Sequence, residues 1–362
     1  MIVVDGHEDL AWNVLTFGRD YTRSVEQTRA LERDTDVPEW NGQTLLGWPD
    51  WVEGRVAVVL ATLFAAPERY RYGPWDVICY QDRDEAERLY RRNLDVYERM
   101  LEAHPDKFAL ITSSPELEEV LAGWDGDEPS DPRLGMVLLM EGADGVKKPE
   151  DVFDWYAAGV RILGPAWSGT HYAGGTREPG PLTEAGRELL KHMKEAGMAL
   201  DLSHMSDDGA LEALERFEGV SLISHSNPAG LLEGLLYPER AVGDDVIRML
   251  AQRQGVLGVT PYLPFIKGDW KLEMGRSAAN TDDVAVHIDY ICQLVGSADH
   301  VAIGTDFDGG FGLDKTIDGL DSVADLRLIG DALHRRGFSP AQVEGVLGAN
   351  WLRLLRRALP GK

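Results

Sequence analysis

The chain has 362 residues, with 61 acidic against 36 basic side chains and a formal net charge of −25, a field that repels nucleic acid and anionic membrane surfaces. Hydrophobic residues make up 44% of it, 10 Trp among them, enough for a large core, while the only two cysteines, Cys79 and Cys292, give neither a disulfide framework nor a Cys-rich metal cage. No apolar run reaches membrane-spanning length and no charged, apolar leader precedes residue 2, so the expectation is a cytoplasmic protein without nucleic-acid or membrane partners, a homodimer being left open.

In chain order, strands are expected over residues 2–7 (IVVDGH), 55–64 (RVAVVLATLF), 136–142 (MVLLMEG) and 161–167 (RILGPAW). Four more follow over 198–204 (MALDLSH), 220–226 (VSLISHS), 255–262 (GVLGVTPY) and 301–309 (VAIGTDFDG). Most are continuous apolar runs without alternation, the pattern of parallel strands covered by helices. Amphipathic helical stretches lie between them, over 82–104, 182–197, 244–254, 281–296 and 322–337. Eight strands in repeated β-then-α order predict a (β/α)8 TIM-type barrel, one domain over residues 1–362. Residues 18–54 and 65–81 read as insertions after the first two strands, and 108–112 (FALIT) as a ninth extended run outside the barrel wall.

The polar residues collect at the C-terminal ends of these strands, where barrel enzymes place their chemistry. The first strand delivers Asp5, His7 and Asp9 to one face and Glu8 to the other. Glu141 closes the apolar run VLLM; His204 ends DLSH, His225 ends ISHS, and Asp306 and Asp308 lie in GTDFDG. Taken singly, each has an ordinary alternative: a satisfied structural histidine, an ion pair of Glu141 with Arg161, or a turn shaped by the aspartates with Gly304, Gly309 and Gly310. Those alternatives must all hold together on one barrel face, and a set of three His with carboxylates instead suits one or two divalent metal sites.

As a set, DGHEDL, LLMEG, DLSHMS, ISHS, RAVGDDVIR, GTDFDGG and GANWLRLL resemble the membrane (renal-type) dipeptidases, binuclear zinc peptidases of the amidohydrolase-like barrels, along essentially the whole chain. The resemblance implies one zinc on His7, Asp9 and Glu141 and a second on Glu141, His204 and His225. It further implies a proton-transfer role for Asp306 and a substrate-carboxylate contact for Arg240. Asp308, two residues on and able to share the inward face, is expected to support Asp306. Such a pair of ions would hold a bridging hydroxide as nucleophile.

One position departs from the family. Its fourth strand typically ends in a substrate-holding His, where this chain has Trp167; the nearest histidine is His171, four residues on. Both are expected as substrate contacts. The function this implies is a zinc-dependent dipeptidase for small substrates with a free C-terminal carboxylate, L,D-dipeptides included. Two alternatives stand beside it. One is a hydrolase of another small amide, lactam or ester on the same metal core. The other is a catalytically weak metal-binding module, against which Asp306 argues, because a pure metal scaffold needs no proton carrier.

Overall fold

The computed structural model describes residues 1–361. Eight parallel strands follow one another in chain order around one sheet: β1 Val3–Glu8, β2 Val56–Phe64, β3 Leu134–Glu141, β4 Val160–Gly164, β5 Ala199–Asp201, β6 Ser221–Ser226, β7 Leu257–Val259 and β8 Val301–Ile303. All nine residues of β2 and all eight of β3 are buried, which is why these runs carry no polar–apolar alternation. The expected barrel is present, with helices such as Arg83–Ala103, Glu184–Ala196 and Thr281–Val295 between its strands. Among the described residues no helix is long and apolar enough to cross a membrane.

The run Phe108–Leu110 pairs in parallel with Leu134–Met136, the first residues of β3, off the path of the barrel. It occupies the stretch of β3 before pairing with β4 begins at Leu138. Closure between the last strand and the first is made by the loop beyond β8. Glu8 bridges Phe307, and the Asp306 N–H donates to the His7 carbonyl at 3.0 Å. That closure sets Asp306 beside His7.

Side chains from β1, β3, β4, β6 and β8 (Val4, Leu139, Ile162, Leu222, Ala302) share a core cluster with Trp351 of the C-terminal helix Asn350–Ala358. The Trp351 indole donates to the Ile303 carbonyl at 2.8 Å. A Cβ on Gly6 would lie 2.6 Å from both the Trp351 ring and the Ser224 carbonyl. Only glycine lets β1 pass this point with His7 in place.

The expected insertion over 18–54 folds into three short helices, Val25–Glu32, Val37–Asn41 and Trp48–Gly54. Between β4 and the next helix, Ala173–Gly175 and Glu178–Leu182 form an antiparallel hairpin. Thr176 and Arg177 are its turn, and Arg177 has φ 68°.

Candidate metal centre

The residues expected at the strand ends meet in one place. His7 and Asp9 sit at and just past the end of β1, Glu141 is the last residue of β3, and His225 lies within β6. His204 and Asp306 lie three residues past β5 and β8, with φ of 65° and 58°. Left-handed backbone at a non-glycine costs about 1–3 kcal/mol, and here it turns both side chains back over the barrel mouth.

Glu141 is the centre of the cluster. Its Oε1 lies 2.9 Å from His204 Nε2, 3.5 Å from His225 Nε2 and 3.7 Å from His7 Nε2. His7 Nε2 also faces Asp9 Oδ2 at 3.6 Å and Asp306 Oδ1 at 3.9 Å, and it is buried without a hydrogen-bond partner. Arg161, the ordinary partner considered for Glu141, instead donates to the carbonyls of Thr112, Tyr156 and Val160.

The tautomers follow from the bonds behind the rings. The Ser224 hydroxyl donates to Asp201 Oδ2 at 2.6 Å, so its oxygen accepts from His225 Nδ1 at 2.8 Å and His7 Nδ1 at 3.2 Å. Thr176 Oγ1 meets His204 Nδ1 at 2.9 Å. With the Nδ1 protons held at the back, each Nε2 presents its lone pair to the cluster. The Nε2 atoms of His204 and His225 are only 3.1 Å apart, and two lone pairs at that distance, beside a carboxylate, call for a cation between them.

Electrostatics point the same way. Burial pushes the His7 imidazole down, but Glu141, Asp9 and Asp306 outweigh it and raise its pKa to about 10. Burial, with Arg240 and His7 nearby, holds His204 and His225 well below the usual range, hence neutral and free to ligate. Burial raises Glu141 well above the carboxylate range and Asp306 to about 7, Asp9 adding to both and His7 opposing. Without an ion, a proton on His7 Nε2 would offset these carboxylates, and a bound ion would take its place.

Two donor groups have all their ligand atoms within 4.8 Å of one another: Glu141 with His204 and His225, and His7 with Asp9 and Asp306. The mixed N,O set, the orphaned His7 Nε2 and the converging lone pairs fit divalent metal binding. Asp201 also lies within reach of His7 and His225, but its oxygens already accept from Ser203 and Ser224. It orients ligands rather than joining them. Ser224→Ala is therefore expected to release two rings at once and lower metal affinity by about 10–100-fold, the usual worth of an outer partner. Metal titration of the variant is the check, and unchanged affinity would remove the orienting role.

Thr62, Thr176, Asp201 and Ser224 were not singled out in the sequence, although Thr62 donates to Asp9 Oδ1 at 2.5 Å. For Thr62, Asp201 and Ser224 the signal is in the sequence: hydroxyls and a carboxylate inside buried apolar strands must find partners. Asp308 turns away from the cluster instead of supporting Asp306. It pairs with Arg19 at 3.0 Å and accepts from Tyr21, Thr44 and the Leu45 N–H, so it clamps the 18–54 insertion onto the barrel.

Above the cluster opens a cavity of about 700 Å³. Asp9, Glu141, His204 and Asp306 line its base; its walls are largely aromatic, with Trp12, Phe64, Tyr72, Tyr262 and Phe265. Arg240 is buried there, its Nη1 donating to the His225 carbonyl at 3.0 Å and its Nη2 without a partner. Trp167 lines the wall, its ring 5.1 Å from Phe64 and 6.2 Å from His204. His171, expected as a substrate contact, is exposed and does not line the cavity. Its N–H donates to Asp144 and its carbonyl accepts from Thr183, which tie the loop down elsewhere.

A family model described as membrane dipeptidase (peptidase family M19) matches residues 1–359. "Dipeptidase verJ" of Clonostachys rogersoniana is 26% identical, the match spanning 98% of this chain and 83% of that protein. A Klebsiella pneumoniae protein described by its position, in the pqqA 5' region, is 32% identical over 62% of this chain and 82% of its own. Among solved structures, a metallo peptidase from Rhodobacter sphaeroides, liganded with a phosphinate mimic of L-Ala-D-Ala, aligns over 99% of both chains at TM-score 0.78 and 22% identity. At that identity the likeness is one of fold.

Proposed function

The chain belongs to the membrane dipeptidase family, peptidase family M19, a family of peptide-bond hydrolases, and we propose that it cleaves small dipeptides with a free C-terminal carboxylate using two zinc ions. His7, Asp9 and Glu141 would hold one ion and Glu141, His204 and His225 the other. The observation that carries this reading is Glu141 Oε1 set among three imidazole Nε2 atoms, at the base of a cavity holding a buried guanidinium with a free Nη2. The two cysteines, Cys79 and Cys292, are unpaired, in keeping with a cytoplasmic location.

Zinc, when bound, supplies Lewis acidity toward the scissile carbonyl and makes water a nucleophile near neutral pH. The remaining work falls to the chain. Arg240 takes the terminal carboxylate through its planar fork. Asp306 accepts the proton of the attacking water and passes it to the leaving amine. Trp167 offers a flat wall and one N–H donor, with no positive charge.

An L,D-dipeptide is the first substrate to try, since the Rhodobacter sphaeroides neighbour was captured with a mimic of one. With zinc-loaded protein, Arg240→Met is expected to raise KM for a free dipeptide by about 10–100-fold, the loss of a buried charge-assisted pair. The C-terminally amidated analogue should change little. A wild-type enzyme indifferent to amidation would instead favour a non-peptide amide as substrate.

A further inference from the structure

We propose that Arg177 forms a second anion-binding subsite in this cavity, so that the preferred substrates are dipeptides carrying an acidic side chain in addition to the terminal carboxylate. The inference rests on the dipeptidase reading of the site and names the substrate class within it.

Arg177 is the second residue of the two-residue turn between Ala173–Gly175 and Glu178–Leu182. Its φ of 68° is a conformation that glycine adopts freely and arginine does not. The turn is nevertheless fixed: the Arg177 N–H donates to Glu239 Oε1 at 2.6 Å, and Thr176 before it holds His204. Positive-φ residues of this kind cluster at functional sites.

That side chain reaches the cavity wall. Its guanidinium lies 4.9 Å from the ring centroids of Tyr70 and Tyr237 and 5.7 Å from that of Trp167. Aromatic faces orient the cation without neutralising it. In a chain with 61 acidic residues a carboxylate partner would be easy to supply, yet the adjacent ones are engaged otherwise. Glu178 is paired with Arg69 at 2.6 Å, and Glu239 is bonded to the Arg177 backbone. Among the described residues no carboxylate forms an ion pair with the Arg177 guanidinium.

The other charged residues lining the cavity are the cluster itself, Arg240, and the exposed Asp269 and Lys271. Arg240 is committed to one carboxylate, which leaves Arg177 for another. A planar guanidinium pairs with a carboxylate through two parallel N–H donors, so it suits binding of a fixed anion. A cavity of about 700 Å³ leaves room for a side chain beyond the scissile bond.

The test uses zinc-loaded protein and non-hydrolysable phosphinate mimics of Ala–D-Glu and Glu–D-Ala, each against its neutral Gln counterpart, with affinities read by calorimetry. Wild type is expected to bind the acidic member of at least one pair tenfold or more tighter. Arg177→Met, which keeps the apolar stem, should erase that difference while shifting the neutral member less than threefold. Arg177→Lys should retain part of it. No acidic preference in either pair overturns the proposal, as does an equal loss on acidic and neutral mimics in Arg177→Met. Turnover of the matching dipeptides is measured alongside: absence of all turnover would count against the dipeptidase reading, while the phosphinate pairs still decide the subsite.

Discussion

Replacing Glu141 with glutamine is expected to release both ions and bring dipeptide hydrolysis to background, a loss of about 10⁴-fold or more for a residue on which the whole catalytic unit depends. The Glu141 Oε1 position touches all three imidazoles, at 2.9, 3.5 and 3.7 Å. No other oxygen in the cluster does so. Glutamine keeps the shape but removes the charge that would offset a pair of dications, and its amide nitrogen would turn N–H donors toward atoms that are to accept a metal.

The fold should survive this change. Burial, with Asp9 and Asp306 adding to it, raises the Glu141 pKa well above the carboxylate range, although His7 opposes the shift. The ionised form is therefore a burden on the metal-free barrel, and a neutral amide relieves it. Metal analysis after gel filtration, together with a thermal melt of the metal-free variant, separates the two effects. Two ions retained at wild-type affinity would overturn the proposal that Glu141 serves both sites.

The parts of this site that were legible in the sequence are those where a polar residue interrupts an apolar run. Glu141 after VLLM and His225 in SLISHS stand out because a buried strand has no ordinary use for them. The strand bodies were legible for the same reason, and β2 and β3 fall within two residues of expectation. The later strands are shorter than their apolar runs. β5 stops at Asp201 and β8 at Ile303, because the chain then enters the left-handed turns at His204, Asp306 and Asp308.

Those turns also explain why Asp308 does not stand beside Asp306. A period of two places it on the face of Asp306 only if the strand continues. With φ of 58° at Asp306 and 63° at Asp308 it does not, and Asp308 is free to clamp the insertion. The hairpin carrying Thr176 and Arg177 was illegible for another reason: its residues are joined by short-range pairing with no apolar period. Only the fold brings that turn against His204 and Trp167.

Asp306→Asn is expected to cut kcat by about 10²–10⁴, the worth of a positioned acid–base group and some 3–5 kcal/mol of transition-state stabilisation. Asparagine tolerates the left-handed backbone at this position nearly as well as aspartate, so the turn is preserved. The space beside it is also preserved: a Cβ on Gly309 would come within 2.2 Å of Asp306 Oδ1 and 2.6 Å of Asp9 Oδ2, and glycine avoids both. Burial raises the Asp306 pKa to about 7 in the metal-free cluster, and bound dications would lower it toward the base form. Because Asp306 also groups with His7 and Asp9 within ligand range, metal content decides its role. A variant with two ions and low kcat marks a proton carrier. Loss of one ion marks a ligand to the His7–Asp9 site, and near-normal kcat with both ions present would take proton transfer away from Asp306 altogether.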